Sequence, residues 1–110
     1  MKYISVPVSP EAMDKLDYCD NAEGELIDFT ISDEQYNTLV SIGLIGLMNT
    51  LFDINIDEYE DEKLTGIENL EKAKLFADKE YSSSEDEAVQ GFLSQLNKAI
   101  EYKTGIFFFF

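Results

Sequence analysis

Between Asp53 and Lys63 the chain reads Asp-Ile-Asn-Ile-Asp-Glu-Tyr-Glu-Asp-Glu-Lys, which crowds Asp57, Glu58, Glu60, Asp61 and Glu62 around a single Tyr59. Carboxylates this close could do three kinds of chemistry: general acid–base work, coordination of a hard cation, or recognition of a positive surface. The first needs a cleft that holds two carboxyl groups in unlike environments, and no pattern in the sequence marks one. The second comes nearer, because Asp53, Asn55 and Asp57 match the first three ligand positions of an EF-hand loop. That loop fails at Glu58, where glycine must turn it, and at Leu64, where a bidentate glutamate must close it, so no metal site is expected. Recognition of a cationic surface is left.

The remaining reactive side chains point the same way. Histidine is absent, which excludes every dyad or triad built on an imidazole base. Cys19, the only cysteine, falls on the apolar side of a helix pattern with no histidine to hold it as thiolate, and reads as core. Gly43 and Gly46 stand among apolar residues, without the Gly-Lys-Ser/Thr ending of a phosphate-binding loop. The expectation is a protein that is not an enzyme and carries no cofactor.

Charge then selects the partner. Eight lysines, no arginine and 23 acidic residues give a formal net charge of −15. Phosphate backbones and anionic membranes both require clustered cations, so neither nucleic acid nor membrane is an expected ligand. A basic protein would relieve the mutual repulsion of the carboxylates, and complementary charge speeds encounter. The candidate partner-binding residues are Asp57, Glu58, Tyr59, Glu60, Asp61 and Glu62. Asp17, Asp20 and Glu23 join them from a second acidic set that runs from Asp14 to Asp28. Tyr59 and Tyr18 are candidate anchors, since aromatics concentrate at interface hot spots, whereas Tyr36 reads as core.

The elements that must position these groups follow from periodicity and caps. Residues 2–8 read as a strand in which Pro7 suggests an edge or an end, and Ser9-Pro10 opens a helix with Ala12, Met13, Leu16 and Cys19 on one face. Leu26, Ile27, Phe29 and Ile31 make a second strand, and Ser32-Asp33-Glu34-Gln35 is a capping box before a helix with Tyr36, Leu39 and Val40 inward. Gly43 should end that helix in a left-handed cap, ahead of a short helix with Leu44, Leu47, Met48 and Leu51 on one side. A third short strand is expected over 52–56, with the acidic run after it as a solvated loop. Thr65-Gly66-Ile67-Glu68 reads as a capping box for a helix to about Tyr81, with Ile67, Leu70, Ala73, Lys74 and Ala77 at helical spacing. Ser82-Ser83-Ser84 should cap the next helix, with Glu85, Asp86 and Glu87 in its first turn and Ala88, Phe92, Leu96, Ala99 and Ile100 on its apolar face. Gly105 should stop it. Four consecutive phenylalanines, Phe107 to Phe110, cannot alternate between core and water, so the last strand must be buried on both faces in mid-sheet.

These elements predict a single domain over 1–110, an α/β (mixed α+β) fold whose small sheet has the C-terminal strand central and is packed by several helices. One cysteine and no apolar h-region near residue 1 lead to an expected cytoplasmic location. The oligomeric state is not fixed by these patterns. On its size, its acidic balance, the run Asp57-Glu58-Tyr59-Glu60 after an apolar helix, and the ending Ala99-Ile100-Glu101-Tyr102-Lys103-Thr104-Gly105-Ile106 before a terminal strand, the chain resembles the small acidic immunity proteins of bacterial polymorphic toxin systems, including contact-dependent growth inhibition. The resemblance implies a protein that binds and neutralises a cognate toxin domain, with a basic nuclease as the expected target. The alternative is a phage-type inhibitor or nucleic-acid mimic, in which the same carboxylates stand in for phosphates.

Overall fold

A computed structural model describes residues 2–16, 18 and 21–110. Along the chain run β1 (Lys2–Pro7), α1 (Pro10–Leu16), β2 (Leu26–Ile31), α2 (Asp33–Ser41), α3 (Leu44–Phe52), β3 (Asp61–Thr65), α4 (Ile67–Tyr81), α5 (Glu87–Tyr102) and β4 (Gly105–Phe109). The strands form one sheet in the order β2-β1-β4-β3, every neighbour antiparallel. The mixed α/β fold and the central position of the C-terminal strand are as expected. Ile106 and Phe108 of β4, with Ile4 and Val6 of β1, are buried on the side that meets the helices, and Phe92 of α5 stacks on Phe108 at 6.2 Å. Phe107 and Phe109 stack on each other on the opposite face, where Leu16 of α1 approaches them.

Several local signals act as read. The Ser9 hydroxyl accepts the Ala12 N–H at 3.1 Å, and Ser32 and Gln35 form the reciprocal capping box of α2. Gly43, at φ 86°, turns the chain between α2 and α3 in the left-handed region that suits glycine. Others are corrected by tertiary context. Val40 lies on the outer side of α2 and is 46% exposed, because Tyr36 and Leu39 already fill the inner face. Thr65 is the last residue of β3, so Gly66 takes the cap of α4 with no side-chain bond, and Ile67 at the exposed first turn is not core. Asp86, not the serine run, caps α5, because its carboxylate accepts both the Ala88 and Val89 N–H groups. Lys103 in the left-handed region ends α5, and Gly105 already belongs to β4, where a Cβ would lie 2.8 Å from Thr65 Cγ2. Cys19 lies outside the described residues.

The largest correction concerns 52–65. No strand forms over 52–56: α3 runs through Phe52, Asp53 caps it in the left-handed region, and the chain then proceeds irregularly to Asp57. The strand comes later, inside the acidic run itself, where Asp61 pairs with Phe109 and Glu62 with Phe108. A strand as apolar as β4 must be hydrogen-bonded along both edges to be buried, and backbone pairing is indifferent to side-chain charge. Placing charges on the resulting edge strand also blocks pairing with a further chain.

Helix α5 is fitted to the sheet by two residues that hydrophobic patterning passes over. Gln95, buried at 2% exposure, donates from Nε2 to the carbonyls of Ile4 (2.7 Å) and Ile27 (2.8 Å), so the amide is satisfied inside the core. Gly91 lets the Phe29 ring lie against the helix backbone, since a Cβ there would fall 2.1 Å from Phe29 Cζ. Gly91→Ala should therefore destabilise the fold by about 1–3 kcal/mol through overpacking, despite alanine's better helix propensity, as read from urea unfolding.

Candidate anionic docking surface

The acidic run is held in place at almost every residue. Asn49 of α3 clamps Ile56 from both sides, accepting its N–H at 2.7 Å and donating to its carbonyl at 3.2 Å, while the Ile56 side chain is buried. Asn55 gathers the downstream carboxylates: its backbone N–H donates to Glu62 Oε2 at 3.0 Å and its Nδ2 to Glu60 Oε2 at 2.7 Å. Tyr59, at φ 70° and 89% exposed, marks the apex of the turn, and its N–H donates to the Phe110 carbonyl at 3.1 Å. Glu60 and Glu62 are thus fixed by the neutral groups of Asn55, which leave their charge intact.

One cation fastens this loop to the rest of the molecule. The Lys2 side chain, 8% exposed, donates from Nζ to Asp33 at 2.7 Å, pairs with Glu58 at 3.2 Å, and lies over the Tyr36 ring. The Asp33 hydrogen bond, opposed by burial and helped by Glu58, holds the Lys2 ammonium above its ordinary pKa, and Lys2 in turn holds the Asp33 carboxyl below its own. Burial, with the charges of Asp57 and Glu58, pushes the Tyr36 hydroxyl up.

Of the residues singled out by sequence, Asp57, Tyr59, Glu60 and Asp61 are exposed together. Glu58 and Glu62 are half-buried, one committed to Lys2 and the other bonded to Asn55, so they shape the loop more than they face outward. Glu23 is exposed but elsewhere. It precedes β2, on the opposite edge of the sheet from β3 and at the other end of the strands. At roughly 5 Å per strand step and 3.3 Å per residue, it lies far beyond the ~8 Å over which salt allows charges to act. Asp17 and Asp20 lie outside the described residues.

In their place the fold brings up Asp33 and Glu34, in the first turn of α2, joined to the acidic loop through Lys2. A sequence signal for this existed. Residues 1–62 hold two lysines and fifteen acids, a net of −13, whereas residues 63–110 hold six lysines and eight acids, a net of −2. Both lysines of the first part are spent, Lys2 on Asp33 and Glu58 and Lys15 on Glu25. Among the described residues no group of His, Cys, Asp or Glu is arranged to hold a metal ion, and no helix is long and apolar enough to cross a membrane.

No family model and no curated protein matches this chain. A solved structure does: the Neisseria DNA mimic protein DMP12 aligns with a TM-score of 0.68 at 19% sequence identity, over 99% of this chain and 98% of its own. At that identity the likeness is one of fold.

Two outcomes are expected from the electrostatics. Lys2→Met should lower stability at neutral pH, and the gap to the wild type should narrow as pH falls below the ordinary Asp33 value of 3.8, where the carboxyl that Lys2 favours becomes protonated. The Lys2 contribution, from a pKa raised above 10.5, should persist through alkaline pH until that value is passed; denaturant unfolding across pH reads both limits. The melting temperature of the wild type should also rise from low salt to about 0.15 M, as screening relieves the net charge of −15.

Proposed function

We propose that this protein is a nucleic-acid mimic that occupies the nucleic-acid-binding face of a basic protein, with the exposed carboxylates of the loop and of α2 in place of phosphates. The observation that carries this reading is the group of exposed carboxylates Asp57, Glu60 and Asp61, on a loop ordered by Asn49 and Asn55, joined through Lys2 to Asp33 and Glu34 of α2. A floppy acidic segment would lose entropy on docking, whereas this loop is already ordered by the bonds of Asn49 to the Ile56 backbone and of Asn55 to Glu60 and Glu62.

The charge density fits. A DNA duplex carries one phosphate per ~1.7 Å of axis, so a length of 34 Å holds about 20. The protein's longest extent is 34 Å and it carries 23 carboxylates against eight lysines. The likeness to a structure described as a DNA mimic protein supports mimicry over toxin-specific immunity. A basic nuclease toxin domain belongs to the same class of target, since its phosphate-holding surface is what such carboxylates would cover.

The test is competition. Proteins retained on double-stranded DNA at low salt are challenged with the purified protein. The wild type should release a defined subset, and Asp57→Lys/Glu60→Lys/Asp61→Lys should release none of it while keeping its fold. Glu80→Lys/Glu85→Lys/Glu101→Lys, which removes the same charge from α4, α5 and the turn between them, should compete like the wild type. Equal loss with both triple variants would reduce the effect to net charge and overturn the reading.

A further inference from the structure

We infer that Tyr59 is the anchor of the acidic loop, its ring a platform for the guanidinium of an arginine side chain of the basic partner, whose N–H groups the neighbouring carboxylates accept. This rests on the reading of the loop as a docking surface for a basic protein and names the side chain that the surface takes. Among the described residues, three other than glycine hold a positive φ. Asp53 and Lys103 do so at the ends of α3 and α5, where a left-handed residue closes the helix. Tyr59 has no such reason. It is the third residue of the turn in which the Glu60 N–H reaches the Asp57 carbonyl at 3.4 Å, and at φ 70° it stands where a type II turn ordinarily places glycine or asparagine. A bulky side chain is strained there. Nothing in the fold offsets that strain: the residue is 89% exposed, and the bond that ties the turn to the Phe110 carbonyl uses the Tyr59 backbone N–H, which glycine would supply as well. A contact made by the ring in a complex accounts for it.

The surroundings name the ligand. Asp57, Glu60 and Asp61 flank Tyr59 in the chain and are exposed with it, while Glu58 is paired with Lys2. The face of an aromatic ring attracts a cation, and carboxylates close by strengthen that attraction while disfavouring any anionic group. Arginine fits both parts. Its planar guanidinium lies flat on a ring while its N–H groups reach outward to carboxylates, whereas an ammonium is a compact and strongly hydrated point charge. An aromatic anchor among polar contacts is also the anatomy of an interface hot spot. The carboxylates then govern how fast a basic partner arrives, and Tyr59 how long it stays.

Octaarginine and octalysine, equal in charge, are the probes, each labelled at its amino terminus and titrated with the protein at a series of salt concentrations. The wild type should bind octaarginine more tightly. Tyr59→Gly should weaken octaarginine by about two- to fivefold and octalysine by less, with the slope of log affinity against log salt unchanged because no charge is removed. Tyr59→Phe, which keeps the ring, should behave like the wild type. Asp57→Lys/Glu60→Lys/Asp61→Lys should weaken both peptides together and flatten the slope. The melting temperature of Tyr59→Gly should equal or exceed that of the wild type, since glycine is at ease at φ 70°. Equal affinity of the wild type for the two peptides, an arginine preference as large in Tyr59→Gly as in the wild type, or a fall in melting temperature on Tyr59→Gly would overturn the inference. The reading of the surface fails separately, when the wild type releases nothing from DNA whatever the peptides show.

Discussion

The architecture turns on burying a strand that has no wet side. Ile106, Phe107 and Phe108 are all buried, so β4 needs hydrogen-bonded neighbours on both edges and apolar cover on both faces. β1 supplies one edge, helices supply one face, and Leu16 of α1 reaches the other. The second edge is filled from the acidic run, which is the chain segment within reach. That requirement turns a stretch with the composition of a solvated loop into an edge strand, and it ties the charged loop to the core through the Asp61–Phe109 register and the Tyr59–Phe110 hydrogen bond.

The electrostatic design follows from that attachment. Like charges held together repel, and the cost is met by packing elsewhere, chiefly by α5 and the aromatic sheet. A disordered acidic segment would avoid most of the cost by spreading out. Here Asn49 and Asn55 prevent it from doing so, and they use amides, which fix position without neutralising. Lys2 is the exception, a buried cation placed where the loop meets α2, where it pairs with the half-buried Glu58 and the exposed Asp33.

Charge is divided unevenly along the chain, −13 over residues 1–62 and −2 over residues 63–110. The loop and the first turn of α2 expose Asp57, Glu60, Asp61, Asp33 and Glu34 together with no exposed lysine among these elements. The outer face of α4 carries both signs around the exposed Leu75.

Sequence alone determined the mixed fold, the helix caps at Ser9 and Ser32, the turn at Gly43, and the central place of the phenylalanine strand. Each of these is set by a few adjacent residues: a hydroxyl beside free N–H groups, a glycine at positive φ, a run with no polar face. It also marked Asp57, Tyr59, Glu60 and Asp61, because local charge density needs no fold to be seen. Only the tertiary structure decided that residues 61–65 form a strand, that Asp86 and not the serines caps α5, and that Glu58 and Glu62 are committed inward. It decided too that Glu23 stands apart from the acidic loop while Asp33 and Glu34 join it, and that Gly91 and Gln95 fit α5 to the sheet. Those outcomes depend on which backbone edge, cation or ring arrives from a distant part of the chain, and distance in space is what a local pattern does not encode.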